Sequence, residues 1–148
     1  MEITDLRLLI ARDLRQLCNE IDAFTSEANI WRTEGSVKNS AGNLCLHLCG
    51  NLRYFIGSVL GGGTYRRDRE REFSASDVPT AELLQEVKRN MDTVDATLAG
   101  LSADVLKNPY PVKVLTEMIT TGHFLLHLYG HLGYHLGQVN YIRRVLEK

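Results

Sequence analysis

At 148 residues, with 44% hydrophobic and 24% charged residues, the chain has the size and composition of one soluble globular domain, residues 1–148, rather than of a disordered or membrane-embedded protein. Seventeen Lys and Arg against 18 Asp and Glu leave a formal charge of -1, with no surplus to draw the protein to phosphate backbones or anionic lipid. Nucleic acid and membranes are therefore not expected partners.

The opening stretch MEITDLRLLIAR carries Glu2, Asp5 and two arginines and lacks the unbroken apolar run of a secretory signal. No later run approaches the ~20 apolar residues of a membrane span. Three cysteines, an odd number without the spacing of a disulfide framework, favour a reducing compartment, so the expected location is cytoplasmic.

Four segments show helical periodicity. The first runs from about Asp5 to Thr25, with Ile10, Leu14, Leu17, Ile21 and Phe24 stepping by three or four along one face. The second begins at Asn39 or Ser40, either of which can cap a first turn, and continues through Leu44, Leu48, Leu52, Phe55 and Val59 to the stop at Gly61, Gly62 and Gly63. The third follows Pro79, with Thr80 as N-cap, and sets Leu84, Val87, Met91, Val94, Leu98 and Leu101 in a seam. The fourth starts between Val112 and Thr120, after Pro109 and Pro111 have kept the backbone extended, and runs to about Leu146. No period-two alternation signals a β-hairpin. The expectation is an all-α, four-helix bundle of antiparallel helices, with a long connection between helices 2 and 3 that crosses the end of the bundle or covers a site there.

All five histidines fall on two of these helices: His47 on the second, and His123, His127, His131 and His135 at four-residue intervals on the fourth. Neighbouring rungs lie about 6 Å apart along the axis and about 40° apart around it, so two imidazoles can reach one ion. Three consecutive rungs span about 12 Å and cannot share it. One adjacent pair with His47 would complete a trihistidine site for a divalent metal, and periodicity leaves three pairs open. Histidines outside the site have the ordinary role of hydrogen-bonded packing residues.

The segment HLGYHLGQVNYIRR, residues 131 to 144, resembles the last-helix motif of DinB-like four-helix bundle proteins, whose final helix carries HxxxHxGQ and whose second helix supplies one more His. Here these map onto His131, His135, Gly137 and Gln138, and onto His47 within LCLHLCGNLR. The resemblance spans essentially the whole chain. It implies the pair His131 and His135, joined by His47, as ligands of zinc or nickel at a site left open to water or substrate. Characterised relatives include transferases that use low-molecular-weight thiols such as bacillithiol or mycothiol, and a thiol-dependent maleylpyruvate isomerase. Tyr134 and Leu136 depart from the commoner HHRGQ pattern, which bears on thiol and substrate identity.

The functional expectation is a divalent-metal-dependent enzyme acting on a small molecule, a thiol S-transferase or related hydrolase, because a bound ion makes thiolate or hydroxide available near neutral pH. The alternative is a non-catalytic metal-binding bundle or dimeric sensor, with a homodimer allowed in either case. Asn51, His127 and Gln138 are candidates to hydrogen-bond the free N–H groups of ligated imidazoles. Cys45 and Cys49 flank His47 but are rotated by about 200° from it, which favours buried structural thiols. Residues 65–73, YRRDREREF, read as a solvated connection, or as presenting one of Arg66, Arg67, Arg69 or Arg71 to a carboxylate of a thiol cofactor or across a dimer interface. Gly130, Gly133 and Gly137 each cost about 1 kcal/mol in helix propensity and predict close approach of another helix. Tyr134 and Trp31 fit core and site equally, and Glu117 stands on the fourth helix, remote from His131.

Overall fold

A computed structural model describes residues 2–114 and 116–147, and every regular element among the described residues is a helix. Helix α1 (Ile3–Asp22) turns Leu6, Ile10, Leu14, Leu17 and Ile21 into the core at spacings of three and four. Its end feeds the single turn α2 (Glu27–Ile30). Helix α3 (Ala41–Leu52) starts where Ser40 Oγ accepts a hydrogen bond from the Asn43 N–H at 3.1 Å. It is buried on nearly all sides and continues as a π-helix over Arg53–Leu60.

After Gly61 the chain turns back through Gly62, whose φ of 68° lies in the left-handed region. The return segment carries α4 (Arg69–Ser74), capped by Asp68, and is sewn to the start of α3 by Asn43, whose side-chain amide donates to the Glu72 and Ala75 carbonyls at 3.1 and 2.8 Å. Helix α5 (Thr80–Gly100) therefore begins beside the beginning of α3 and runs parallel to it, with Arg53 near Glu86, Gly57 against Thr93 and Gly61 against Thr97. Thr80 is the first residue of α5 rather than its cap. The Glu27 carboxylate serves there instead, accepting from the Thr80 N–H and hydroxyl. The buried stripe of α5 is Leu83, Val87, Asn90, Val94 and Leu98, rotated slightly from the predicted seam, which leaves Leu84, Met91 and Leu101 half-buried.

A 3₁₀ turn (Ala103–Lys107) leads into a connection closed by backbone bonds from the Tyr110 N–H to the Ile119 carbonyl and from the Thr121 N–H to the Asn108 carbonyl. Buried Tyr110 donates its hydroxyl to the Phe55 carbonyl at 2.6 Å, which pins this connection onto the π-helical end of α3. Helix α6 (Thr121–Leu146) is capped by Thr120.

The four long helices share one core, α1 and α3 each lying between α5 and α6. Their directions follow from paired contacts. Helix α1 runs antiparallel to α5, with Arg7 on Asp95 and Cys18 near Lys88. It runs parallel to α6, with Arg12 on Tyr129 and Glu20 on Asn140 and Arg143. Helix α3 runs antiparallel to α6, with His47 at His131 and Phe55 at Phe124. Two neighbouring pairs are thus parallel, where antiparallel packing throughout was expected, because the 61–79 connection retraces the length of α3 before α5 begins. No helix of the described residues is long and apolar enough to cross a membrane.

Candidate metal centre

Antiparallel packing of α3 on α6 brings His47 opposite His131 and His135, one helical turn apart. The ring centroids lie 4.9 Å (His47 to His131), 5.2 Å (His47 to His135) and 4.5 Å (His131 to His135) apart. One ring nitrogen from each falls within 4.8 Å of the others. His47 Nε2 and His131 Nε2 are 3.0 Å apart, close to the roughly 3.3 Å between two nitrogens on a tetrahedral ion with bonds of about 2.0–2.1 Å. These three residues could hold a divalent ion.

Burial favours the neutral, ligand-competent form of the two α6 imidazoles, His131 and His135. It pushes His131 down to about 4, helped by His135 and His47, and also lowers His135. Gln138 Oε1 lies 2.6 Å from His135 Nδ1, so with the proton on Nδ1 that nitrogen donates to Gln138 and Nε2 faces the cluster.

His47 is oriented from the returning connection. Glu72, 4% exposed, sets Oε1 3.4 Å from His47 Nδ1, and Arg67 grips the same carboxylate with Nε at 2.9 Å and Nη2 at 2.8 Å. Arg67 Nη2 is itself 3.1 Å from His47 Nδ1. A guanidinium only donates, so the two contacts call for opposite tautomers. With Nδ1 bare, His47 accepts from Arg67; with Nδ1 protonated, it donates to Glu72 and frees Nε2. A ligand role requires the second. Burial alone would raise the Glu72 carboxyl, but its contacts with His47 and Arg67 prevail and hold it below the usual range. Space for the carboxylate comes from Gly50, where a Cβ would stand 2.8 Å from Glu72 Oε1.

The family model described as Protein of unknown function (DUF1572) matches residues 4–148. The chain belongs to this family, DUF1572. Among curated proteins none matches it.

In this DUF1572 protein the remaining predicted residues divide by position. Asn51, one turn beyond His47, is 7% exposed and makes no hydrogen bond to an imidazole among the described residues; its Oδ1 is buried without a partner. His127 is exposed and stacks between Phe124 and His131, its centroid 6.5 Å from the latter. His123 is exposed in the first turn of α6. Arg67 does reach a carboxylate, but that of Glu72 in its own chain, while Arg69 lies over the Phe73 ring at 5.3 Å. Cys45 and Cys49 are buried free thiols, and a hydrogen bond with Cys49 together with burial raises Cys45 well above its ordinary value. Gly130, Gly133 and Gly137 face open space, not a neighbouring helix. Tyr134 is exposed beside His135, Trp31 packs on the core over Gly42, and Glu117 is exposed in the connection before α6.

Sequence reading missed Glu72 as the acid beside the cluster. The sole signal was its position in the charged 65–73 stretch, whose three acids look alike until the chain returns along α3.

The three histidines form part of the wall of a cavity of about 390 Å³, which Phe55, Phe73, Phe124 and Leu128 complete on its apolar side. That is within the range of small-molecule sites.

Proposed function

We propose that this chain is a divalent-metal-dependent enzyme of DinB-like four-helix architecture, in which His47, His131 and His135 hold zinc or nickel, and that it is a cytoplasmic thiol S-transferase using a low-molecular-weight thiol. The observation that carries the reading is the convergence of three imidazoles from two helices on the edge of a substrate-sized cavity. A buried storage or sensor site has no need of such a cavity. When bound, a divalent ion lowers the pKa of a coordinated thiol or water, supplying thiolate or hydroxide near neutral pH. With Nδ1 protonated on both, His135 donates to Gln138 and His47 to Glu72, and each presents Nε2 to an ion. No carboxylate of the described residues lines the cavity, which favours a thiol nucleophile over a water needing a general base; water in that role would make a related hydrolase.

Elemental analysis of purified protein, followed by zinc and nickel titration, is expected to give one ion per chain, lost on replacing His131 and His135 with Ala. Affinity unchanged in that variant would overturn the metal assignment. Metal-dependent conjugation of monochlorobimane across a panel of thiols is then expected; a metal-loaded protein inert with all of them would favour a non-catalytic metal-binding bundle.

A further inference from the structure

The charge around the cavity carries a further inference, resting on the proposed metal reading. Arg67 and Arg69 both line it, and no Asp or Glu of the described residues does. The adjoining pocket on the far side of Glu72 is different: Arg53, Arg71 and Arg89 are balanced there by Asp68, Glu82 and Glu86. The cationic lining is therefore local, in a chain whose formal charge is -1. Arg67 is neutralised by the carboxylate of Glu72. Arg69 has no carboxylate partner among the described residues. Its guanidinium is held over one face of Phe73, and the same ring packs on His47 at 4.8 Å, so one aromatic ring separates the arginine from the imidazole cluster. Asn51 stands on the cavity wall one turn from His47, its Oδ1 buried without a partner among the described residues.

We infer that the cavity takes a small anionic molecule with an apolar body, whose carboxylate is bound by Arg69. A guanidinium with free donor edges matches a planar carboxylate in two parallel hydrogen bonds. The apolar wall accepts the body, and the reacting group is left towards the histidines. A neutral analogue of the same shape leaves the arginine uncompensated.

Benzoate and benzamide differ in charge but hardly in shape, and their binding is measured by calorimetry to metal-free and zinc-loaded protein and to Arg69→Gln. Benzoate is expected to bind roughly ten-fold more tightly than benzamide, with or without zinc. The preference is expected to disappear in Arg69→Gln, an exposed substitution that leaves zinc affinity unchanged. Equal binding of the two probes overturns the inference, as does a preference for benzoate that survives in Arg69→Gln and so comes from Arg67 or the metal. Failure of the metal reading is separate: a protein that binds no zinc yet still prefers benzoate through Arg69 upholds the anionic ligand and removes the metal.

Discussion

At the scale of residues, the site depends on a glycine that touches no ligand. Gly50 lies in the last turn of α3, where the helix runs on into its π-helical continuation and Ala would gain about 1 kcal/mol in helix propensity. A Cβ there would meet Glu72 Oε1 at 2.8 Å and its Cδ at 2.9 Å, and Glu72 cannot yield without releasing Arg67 and His47. Gly50→Ala is expected to lower zinc affinity roughly ten- to a hundred-fold, the usual cost of losing the partner of a ligating histidine, while the metal-free protein stays helical. Calorimetric zinc titration beside circular dichroism checks this. Unchanged affinity would mean that the Glu72 contact does not support His47.

At the scale of elements, close helix approach occurs at glycines other than those in the histidine helix. Gly57 and Gly61, at the end of α3, meet Thr93 and Thr97 of α5, with a Cβ on Gly57 placed 2.6 Å from Thr93 Cγ2. The Thr93 hydroxyl donates to the Arg89 carbonyl at 2.9 Å, so the methyl cannot swing away without breaking that bond. Gly57→Ala should destabilise the protein by about 1–3 kcal/mol through overpacking, read as a lower urea midpoint. No loss would show that the parallel α3 and α5 contact has slack. A comparable change at Gly133, which faces open space, should raise stability by about 1 kcal/mol through helix propensity.

For the whole molecule, half-buried His131 ties stability to pH. His131 is held at about 4 against an ordinary 6.5, so between these values the unfolded chain binds a proton that the folded chain refuses. Its contribution is therefore present above pH 6.5 and lost as pH falls towards 4. The lowered carboxyls, Glu20, Glu27, Glu72 and Glu147, act in the same direction but only below their ordinary 4.5. Thermal melts in chelator should show the midpoint falling between about pH 6.5 and about pH 5, and less steeply in His131→Asn. A metal-free midpoint that rises on acidification in that window would contradict the burial of neutral His131. Zinc at a hundred-fold excess over its dissociation constant should add about 2.7 kcal/mol at neutral pH, and replacing the three histidines should abolish that gain.

The local code was open to reading because it repeats every three or four residues. It includes the α1 stripe from Ile10 to Ile21, the start of α3 at Asn39 or Ser40, and the ladder whose drift forbids three consecutive rungs on one ion. His131 and His135 as the chosen rungs came from resemblance, since the ladder by itself treats its three pairs alike. Helix directions, the capping of α5 by Glu27 and the seating of Glu72 and Arg67 on His47 depend on contacts between segments distant in the chain, which no local period encodes. The register of α3 on α6, with Phe55 on Phe124 and Tyr110 locked to the Phe55 carbonyl, sets which rungs His47 meets. By itself the sequence determined an all-helical chain and its metal-capable residue types, because these follow from spacing along one helix. Only the tertiary structure decided how His47 is oriented and which charge faces the cavity, because both arise where the 61–79 connection folds back on α3.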